Sequence, residues 1–305
     1  MRPFRFGLLL DSRDIGRNQL LEVARRAEAE GYAILLGTDH LGRLASLQLL
    51  QAAAEATSLR IGTLVLNNDF RHPALLAQEL ATIDRLTEGR LEIGLGAGWD
   101  RPEYEAAGMS FDPPGRRIAR LQATVGILQQ ALSEGRIERP ADEAYPAMRL
   151  DGMPRSAQRP HPPLLIGGGG PRMLRYAARV AQIVGLDPRA LPEGGHDPHD
   201  VTEADVEQKI EWVREAAGER WPVLELNIII RGLDPGSGRS ASGAQNKYGL
   251  SAAEMARSPF FLVGDAEQMT DALLARRERF GISYLTLHAP HMDAVAPVIR
   301  KLAAR

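Results

Sequence analysis

The sequence contains no cysteine among its 305 residues. This absence excludes a disulfide-stapled scaffold, a thiolate zinc site, an iron–sulfur cluster and a cysteine nucleophile. No apolar run approaches the ~20 residues that a membrane-spanning helix needs, and the run near the N-terminus is too short for a signal peptide. We therefore expect a cytoplasmic protein with no membrane partner.

An excess of charge of either sign is also missing. Lys and Arg number 37 and Asp and Glu number 39, so the formal net charge is −2. A duplex-binding protein needs a strongly basic surface to neutralise phosphates, so we expect no nucleic-acid partner. Lysine itself is scarce, with only Lys209, Lys247 and Lys301. The remaining basic residues are arginine, a usage typical of a GC-rich bacterial genome.

Short apolar runs recur along the chain with amphipathic helical stretches between them. Most runs are continuous rather than alternating, which is typical of parallel strands covered on both faces. The runs span residues 6–10, 33–36, 61–66, 91–95, 164–166, 183–186, 223–230 and 284–287. The helical stretches span residues 18–30, 46–57, 73–86, 116–132, 171–181, 203–217, 266–280 and 292–303. This alternation predicts an α/β fold, a (β/α)8 TIM barrel, with a doubly wound open sheet as the alternative.

Two insertions interrupt the alternation, one before the fifth strand and one after the seventh. Residues 134–163 are rich in Pro, Arg and Glu, and residues 232–259 include Gly-Ser-Gly-Arg-Ser-Ala-Ser-Gly. We interpret the second insertion as a flexible lid that finishes in a short helix near residues 251–257, with a disordered surface insertion as the alternative. Neither insertion separates two cores, so residues 1–305 are expected to form a single domain.

Barrel enzymes place their chemistry at the C-terminal ends of the strands, so the residues that follow each run are the candidates. Glycines 167–170 lie between a strand and a helix, where bare backbone and a helix N-terminus favour a bound phosphate. A tight turn is the alternative interpretation. Asp39 and His40 are the acid–base candidates, because histidine titrates near neutrality, and a structural role is their alternative. The other strands are followed by Asp11, Asn67, Gly98 and Trp99, Asp187, Arg231 and His288.

Several other chemistries lack support. The only close histidine pairs are His196 with His199 and His288 with His291, and the first strand has no histidine of the kind that a barrel metallohydrolase carries. We therefore expect no metal. The glycines at 94–98 lack the full spacing and the later ribose-binding acid of a dinucleotide fingerprint, and neither a Gly-x-Ser-x-Gly elbow nor a Walker loop occurs.

The most specific motif of the chain combines Phe-Arg-His-Pro-Ala-Leu-Leu-Ala-Gln-Glu with Leu-Thr-Glu-Gly-Arg-Leu-Glu-Ile-Gly-Leu-Gly-Ala-Gly-Trp. This motif resembles those of the luciferase-like monooxygenase superfamily, and more closely those of its coenzyme F420-dependent oxidoreductases from actinobacteria. The glycine run resembles the phosphate loop of that family, and Leu-Val-Gly-Asp near the C-terminus resembles its last signature. The matching segments span residues 62–66, 70–79, 86–99, 163–170, 177–179, 262–265 and 280–285.

The resemblance implies a TIM barrel with a deazaflavin or flavin lying across the strand C-termini. It implies a non-prolyl cis peptide between Leu64 and Val65, and it places His40 and Asp39 near the ring as catalytic residues. The implied cofactor-binding residues are Asp39, Leu64, Val65, Asn67, Gly98, Gly167, Gly168, Gly169 and Gly170. The substrate pocket is expected to include Asp11, Trp99 and His288.

The function implied by the resemblance is hydride transfer between reduced coenzyme F420 and an unidentified small organic substrate. An FMN-dependent monooxygenase and a non-catalytic barrel that binds a flavin or deazaflavin are the alternatives. Trp99 stands where the sugar-phosphate dehydrogenase branch has a glutamate, which argues against that substrate. Relatives are often dimers, so the resemblance leaves a homodimer open.

Overall fold

The computed structural model describes residues 2–234 and 247–303. Within these ranges eight parallel strands close into a barrel, which confirms the predicted fold. The third strand is divided by a non-prolyl cis peptide between Leu64 and Val65, as the resemblance implied. The barrel strands are β1 (Arg5–Leu9), β2 (Ile34–Gly37), β3 (Arg60–Thr63) continued by β4 (Leu66–Asn67), β5 (Leu91–Gly96), β8 (Leu164–Gly168), β9 (Ile183–Leu186), β10 (Glu225–Ile229) and β13 (Ile282–His288).

Parallel pairing around the barrel brings all C-terminal strand ends to one rim. β1 pairs with β13, where Leu9 lies opposite His288, and with β2 on its other side. The ring closes where β3 pairs with β5, and β4 resumes that pairing beyond the cis peptide. Side chains that follow different strands therefore face one another across the rim.

The predicted helices are all present, and most boundaries agree within two residues. Proline opens α3 at its first position, where the missing N–H costs nothing, and the His72 side chain accepts a hydrogen bond from the Ala74 N–H. The helices are α1 (Arg17–Ala29), α2 (Ser46–Glu55), α3 (Pro73–Leu86), α4 (Arg101–Ala106), α5 (Pro114–Glu134), α6 (Pro171–Val180), α7 (Glu203–Ala217), α8 (Ala252–Arg257), α9 (Ala266–Phe280) and α10 (Met292–Leu302).

The structure corrects the seventh predicted strand and adds detail to both insertions. The strand begins at Glu225 rather than at residue 223, because residues up to Val223 form a 3-10 turn around Pro222. The first insertion carries an antiparallel hairpin of β6 (Arg136–Arg139) and β7 (Met148–Asp151). In the second, β11 (Gly232–Asp234) pairs with β12 (Phe261–Val263), and α8 confirms the short helix. Residues 235–246, the centre of the predicted lid, lie outside the described residues.

Packing inside the barrel separates a closed end from an open end. At the N-terminal end Arg5 bonds to Glu92 Oε1 at 2.6 Å and Glu225 Oε2 at 2.5 Å, and its guanidinium lies 4.4 Å from the centre of the Tyr284 ring. This buried cluster fills the barrel floor, so the open C-terminal rim is left for a ligand. Among the described residues, no helix combines the length and the apolar character that crossing a bilayer requires.

Candidate active site

A cavity of about 1000 Å³ opens at the C-terminal rim of the barrel. Every residue that the sequence analysis assigned to a site contributes to its lining, although these residues are far apart in the sequence. The predicted residues in the lining are Asp11, Asp39, His40, Leu64, Val65, Asn67, Gly98, Trp99, Gly167, Gly168, Gly169, Gly170 and His288. The structure thus brings the candidates together in one place, and their individual roles stay predictions.

The four-glycine run leaves β8 and leads into α6. A Cβ atom on Gly168 would lie 2.5 Å from Met173 Cγ, and one on Gly169 would lie 2.4 Å from the Pro188 carbonyl carbon. These two glycines are therefore required by packing within the protein. A Cβ on Gly170 would meet nothing within 4 Å, although this residue caps α6. Gly168 is the last residue of β8, whereas Gly170 faces open space beside the helix N-terminus, and the choice between a turn and a phosphate site stays a prediction.

The cis peptide lies on the cavity floor between β3 and β4. Val65 packs so closely on β5 that a Cβ on Gly96 would lie 2.6 Å from Val65 Cγ2. Thr63 braces the same region, because its Oγ1 bonds to both the N–H and the carbonyl of Gly94 at 2.9 Å. Leu64 and Val65 therefore provide a fixed apolar surface on which a flat ring could lie.

Asp39 is held in a bidentate ion pair with Arg71. Its Oδ2 accepts from Arg71 Nη1 at 2.5 Å and its Oδ1 accepts from Nη2 at 3.0 Å, while the Asn67 N–H donates to Oδ2. Burial opposes the Arg71 charge, but the hydrogen bond and attraction of Asp39 outweigh it and raise the pKa of Arg71. The Asp39 carboxylate therefore forms its hydrogen bonds within the protein, and these bonds connect the end of β2 with the end of β4.

His40 faces a glutamate that the sequence analysis did not identify. Glu103, on α4, places Oε2 3.4 Å from His40 Nδ1, and its Oε1 accepts from the Leu41 N–H. The His40 ring meets the Trp99 ring edge to face, with 5.8 Å between their centres. Asp100 joins His40 and Glu103 in a cluster whose ligand atoms lie within 4.8 Å, a spacing that would also suit a metal ion. The expectation of no metal stays a prediction.

A second histidine reaches Trp99 from the loop that follows β9. The His196 and Trp99 rings lie 4.5 Å apart, and His196 Nε2 lies 3.1 Å from Asp187 Oδ2. Arg231 bonds to the other oxygen of Asp187. Burial alone would raise the pKa of Asp187, but Arg231 and His196 outweigh it, so the pKa lies below its ordinary value. The carboxylate is therefore ionised near neutral pH.

Asn67 and Gly98 are linked through a buried tyrosine. Tyr104 donates to Asn67 Oδ1 at 2.9 Å, and burial raises its pKa well above the ordinary value. Gly98 has a φ of +78°, and a Cβ there would lie 2.0 Å from the Tyr104 hydroxyl oxygen. A side chain at position 98 is excluded on both grounds. The strand-five turn therefore has its shape fixed before any ligand arrives.

The remaining predicted residues lie at the ends of β1 and β13. Asp11 pairs with Arg13, and the hydrogen bond from Arg13 lowers the pKa of Asp11 to about 2. His288 has a lowered pKa, chiefly through burial and then through His291 and Arg231. Burial likewise lowers the pKa of His291. At neutral pH this side of the cavity therefore carries neutral histidines.

Two further arginines, Arg117 and Arg172, line the cavity. Arg117 is 3% exposed, and its described hydrogen bonds go to the backbone carbonyls of Asp112, Ala97 and Gly98. Burial lowers its pKa. Arg172 lies on the first turn of α6. Together with the N-terminus of α6, Arg172 favours an anionic group at the glycine end of the cavity.

Comparison with known proteins gives a context for this cavity. A sequence model of the family described as luciferase-like monooxygenase matches residues 3–219. A curated protein from Nakamurella multipartita, named F420-dependent glucose-6-phosphate dehydrogenase, is 30% identical over 189 residues, which cover 59% of this chain and 55% of that protein. A protein from Archaeoglobus fulgidus, named 5,10-methylenetetrahydromethanopterin reductase, is 29% identical over 172 residues, which cover 56% and 49%. The chain therefore spans about half the length of the curated relatives it matches.

A solved structure extends the comparison over the whole barrel. The coenzyme F420-dependent tetrahydromethanopterin reductase from Methanopyrus kandleri superposes with a TM-score of 0.80 and 19% identity, covering 99% of both chains. At this identity the likeness concerns the fold alone. It agrees with the closed parallel barrel described above.

Proposed function

Because the chain belongs to the luciferase-like monooxygenase family, we propose that it is an oxidoreductase that moves a hydride between reduced coenzyme F420 and a small organic substrate. The observation that carries this proposal is the cavity itself. A glycine turn, an apolar cis-peptide floor and a histidine–carboxylate pair line one pocket at the barrel rim. The first curated relative named above supports F420 as the cofactor, since its name includes F420.

The residues present fit a deazaflavin that bears a phosphate. The cavity volume of about 1000 Å³ lies at the upper end of the range for ligand pockets, ~300–1000 Å³. Open space beside Gly170 and the N-terminus of α6 suit the phosphate. Leu64 and Val65 suit one face of the ring. When bound, F420 would supply the hydride chemistry, and the protein supplies orientation and proton transfer.

The roles of the protein's own groups follow from their partners. Asp39 is bonded to Arg71, so it orients the rim rather than exchanging protons. Glu103 contacts His40 at Nδ1, so Nε2 is the nitrogen that exchanges a proton with the substrate. Trp99 covers the substrate side of the same space, between His40 and His196.

Separate titrations of purified protein with F420 and with FMN, followed by visible absorbance and fluorescence, test the proposal. We expect F420 to bind with micromolar or tighter affinity and FMN to bind more weakly. Tight FMN binding with no F420 binding would instead support the flavin monooxygenase. Tight F420 binding without oxidation of reduced F420 by any acceptor in a broad panel would support the non-catalytic barrel.

A further inference from the structure

The surroundings of Trp99 carry information about the substrate that the proposed function leaves open. We define the Trp99 pocket as Trp99, His40, Glu103, His196 and Asp187, all of which line the cavity. Each of the two histidines touches the indole ring, and each is backed by a carboxylate. The pocket therefore combines two His–carboxylate pairs with one flat ring that both histidines contact.

The carboxylates determine which histidine nitrogen carries a proton. Asp187 Oδ2 lies 3.1 Å from His196 Nε2, so a neutral His196 ring that donates to this carboxylate has its acceptor nitrogen at Nδ1. Glu103 Oε2 lies 3.4 Å from His40 Nδ1, so a neutral His40 ring that donates to it has its acceptor nitrogen at Nε2. In that form the two rings offer one acceptor nitrogen each, a set that suits a ligand with O–H or N–H donors.

Several of the arginines that line the cavity already have partners within the protein. Arg231 is bonded to Asp187, and Arg13 is bonded to Asp11, with which Arg43 also interacts. Arg117 is committed to backbone carbonyls. An anionic substrate would face the carboxylates of Glu103 and Asp187 without a free cation in contact with Trp99 in the described part of the chain.

We infer that the Trp99 pocket binds an uncharged, flat substrate that donates at least one O–H or N–H hydrogen bond, and that it rejects anions. Trp99 supplies the stacking surface, and His40 and His196 accept the hydrogen bonds. Asp187 and Glu103 act as positioning residues that fix the histidine tautomers and repel negative charge. The inference rests on the proposed function only in leaving the glycine end of the cavity to the cofactor.

Benzamide and benzoate provide a matched pair of probes, because they share shape and size. Benzamide is neutral and donates N–H bonds, whereas benzoate is an anion without donors. Calorimetric titration of the purified protein, with and without F420, should show benzamide binding at least about tenfold more tightly than benzoate. Trp99→Ala should abolish most of the benzamide binding.

A charge variant with a matched control tests the cause of the discrimination. Glu103→Gln keeps an acceptor for the Leu41 N–H and removes the negative charge. Benzoate should therefore bind more tightly, and the ratio of benzamide affinity to benzoate affinity should fall several-fold. Glu105→Gln, on the same helix with a side chain that is 62% exposed, should leave the ratio unchanged.

Equal or tighter binding of benzoate, or no binding of either probe, would overturn the inference. An unchanged ratio in Glu103→Gln would overturn the electrostatic part of it. F420 affinity is measured in the same samples, so a protein that separates the probes but ignores F420 would refute the proposed function alone. A protein that binds F420 but does not separate the probes would refute this inference alone.

Discussion

Asp39 and His40 are neighbours in the sequence, yet the structure gives them different partners. The Asp39 carboxylate bonds to Arg71 and to the Asn67 N–H, all within the protein. His40 instead turns toward the cavity, with Glu103 on one side and Trp99 on the other. At the scale of single residues, His40 is therefore the proton carrier to test, and Asp39 is expected to matter for the shape of the rim.

Replacing His40 by alanine should separate chemistry from cofactor binding. Loss of a general acid or base usually lowers the rate by ~10²–10⁴-fold, so His40→Ala should bind F420 almost normally and turn over slowly. Rapid-mixing single-turnover rates and F420 titrations on the same preparation measure both quantities. If His40 only packs beneath the ring, the variant would lose affinity and keep the wild-type hydride-transfer rate at saturation.

Gly170 offers a cleaner test of the phosphate end than its neighbours do. Gly168 and Gly169 are fixed by Met173 and by the backbone around Pro188, so substitutions there would disturb packing. Gly170 has extended backbone (φ −98°, ψ 156°) and free space around it, and aspartate is a favoured residue at a helix N-cap. Gly170→Asp should therefore keep the fold.

The expected result for Gly170→Asp is a loss of at least about tenfold in F420 affinity, because the new carboxylate faces the phosphate. Gly170→Asn has nearly the same shape without the charge, so it should lose much less. Fluorescence titration gives the affinities, and thermal unfolding checks that both variants fold. Equal affinities for the two variants would contradict a phosphate at this helix N-terminus.

At the scale of secondary-structure elements, the sequence predicted the regular parts and missed those built from polar residues. Apolar runs identify strands because burial on both faces requires them, and all eight were found. The hairpin of β6 and β7 escaped notice, because Arg136–Arg139 and Met148–Asp151 are mostly polar and read as a surface loop. The start of β10 was misplaced because Val223 and Leu224 are apolar but follow Pro222.

The site was predictable to the extent that it depends on strand ends. Gly98 and His40 lie within three residues of a strand end, and the glycine run begins in the last residues of β8, so barrel topology was enough to bring them together. Glu103 and His196 depend on the path of helix α4 and of the loop after β9, which no periodicity specifies. A weak signal for Glu103 existed, since Pro102 marks the first turn of a helix directly after Trp99.

A buried ion pair joins Asp200, in the loop after β9, to Lys209 on α7. Lys209 is 1% exposed, and its Nζ lies 2.6 Å from Asp200 Oδ1. The other oxygen of Asp200 accepts from the Arg189 N–H at 2.6 Å. The same loop bonds to the Trp99 carbonyl through the Gly195 N–H. Lys209 thus helps to hold the loop that carries His196, although it does not line the cavity itself.

Lys209→Met should lower the free energy of unfolding by an amount at the lower end of the ~3–5 kcal/mol typical of a broken buried ion pair, since the buried Asp200 carboxylate keeps only the half-exposed Arg189 guanidinium at 3.3 Å as a cationic partner. Urea denaturation measures this loss, and Lys301→Met provides a control at an exposed lysine. Adding Asp200→Asn should recover part of the stability, because the buried carboxylate that has lost its lysine partner is then uncharged. A loss below about 1 kcal/mol would show that Asp200 is adequately solvated or paired without Lys209.

At the scale of the whole molecule, the two ends of the barrel carry different kinds of polar group. At the N-terminal end of the barrel, the positive charge of Arg5 is paired with the carboxylates of Glu92 and Glu225. The rim holds histidines whose pKa values lie below the ordinary value, mainly because burial disfavours the charged ring. We therefore expect a lower pH to reduce the stability of the fold, through protonation of these histidines at the C-terminal rim, as well as to change activity.

The pH dependence of unfolding tests this picture. His288 and His291 have lowered pKa values in the folded protein, whereas in the unfolded chain they take up a proton near pH ~6.5. Below that pH the unfolded state binds more protons, so the stability that these residues contribute is present above it and is lost as the pH falls. Asp11, which faces His288, opposes the effect, and Arg231 adds to it. Urea midpoints should therefore fall less steeply between about pH 7.5 and 5.5 in His288→Gln/His291→Gln than in the wild type.

His199→Gln changes an exposed histidine outside the cavity lining and serves as the matched control for this comparison. It tests whether the difference in slope comes from burial or from the mere number of histidines. If the double variant and the wild type lost stability in parallel, the rim histidines would be as easily protonated in the folded protein as in the unfolded chain. The contacts of His40 with Glu103 and of His196 with Asp187 involve other carboxylates, so the inference about the Trp99 pocket does not depend on that result.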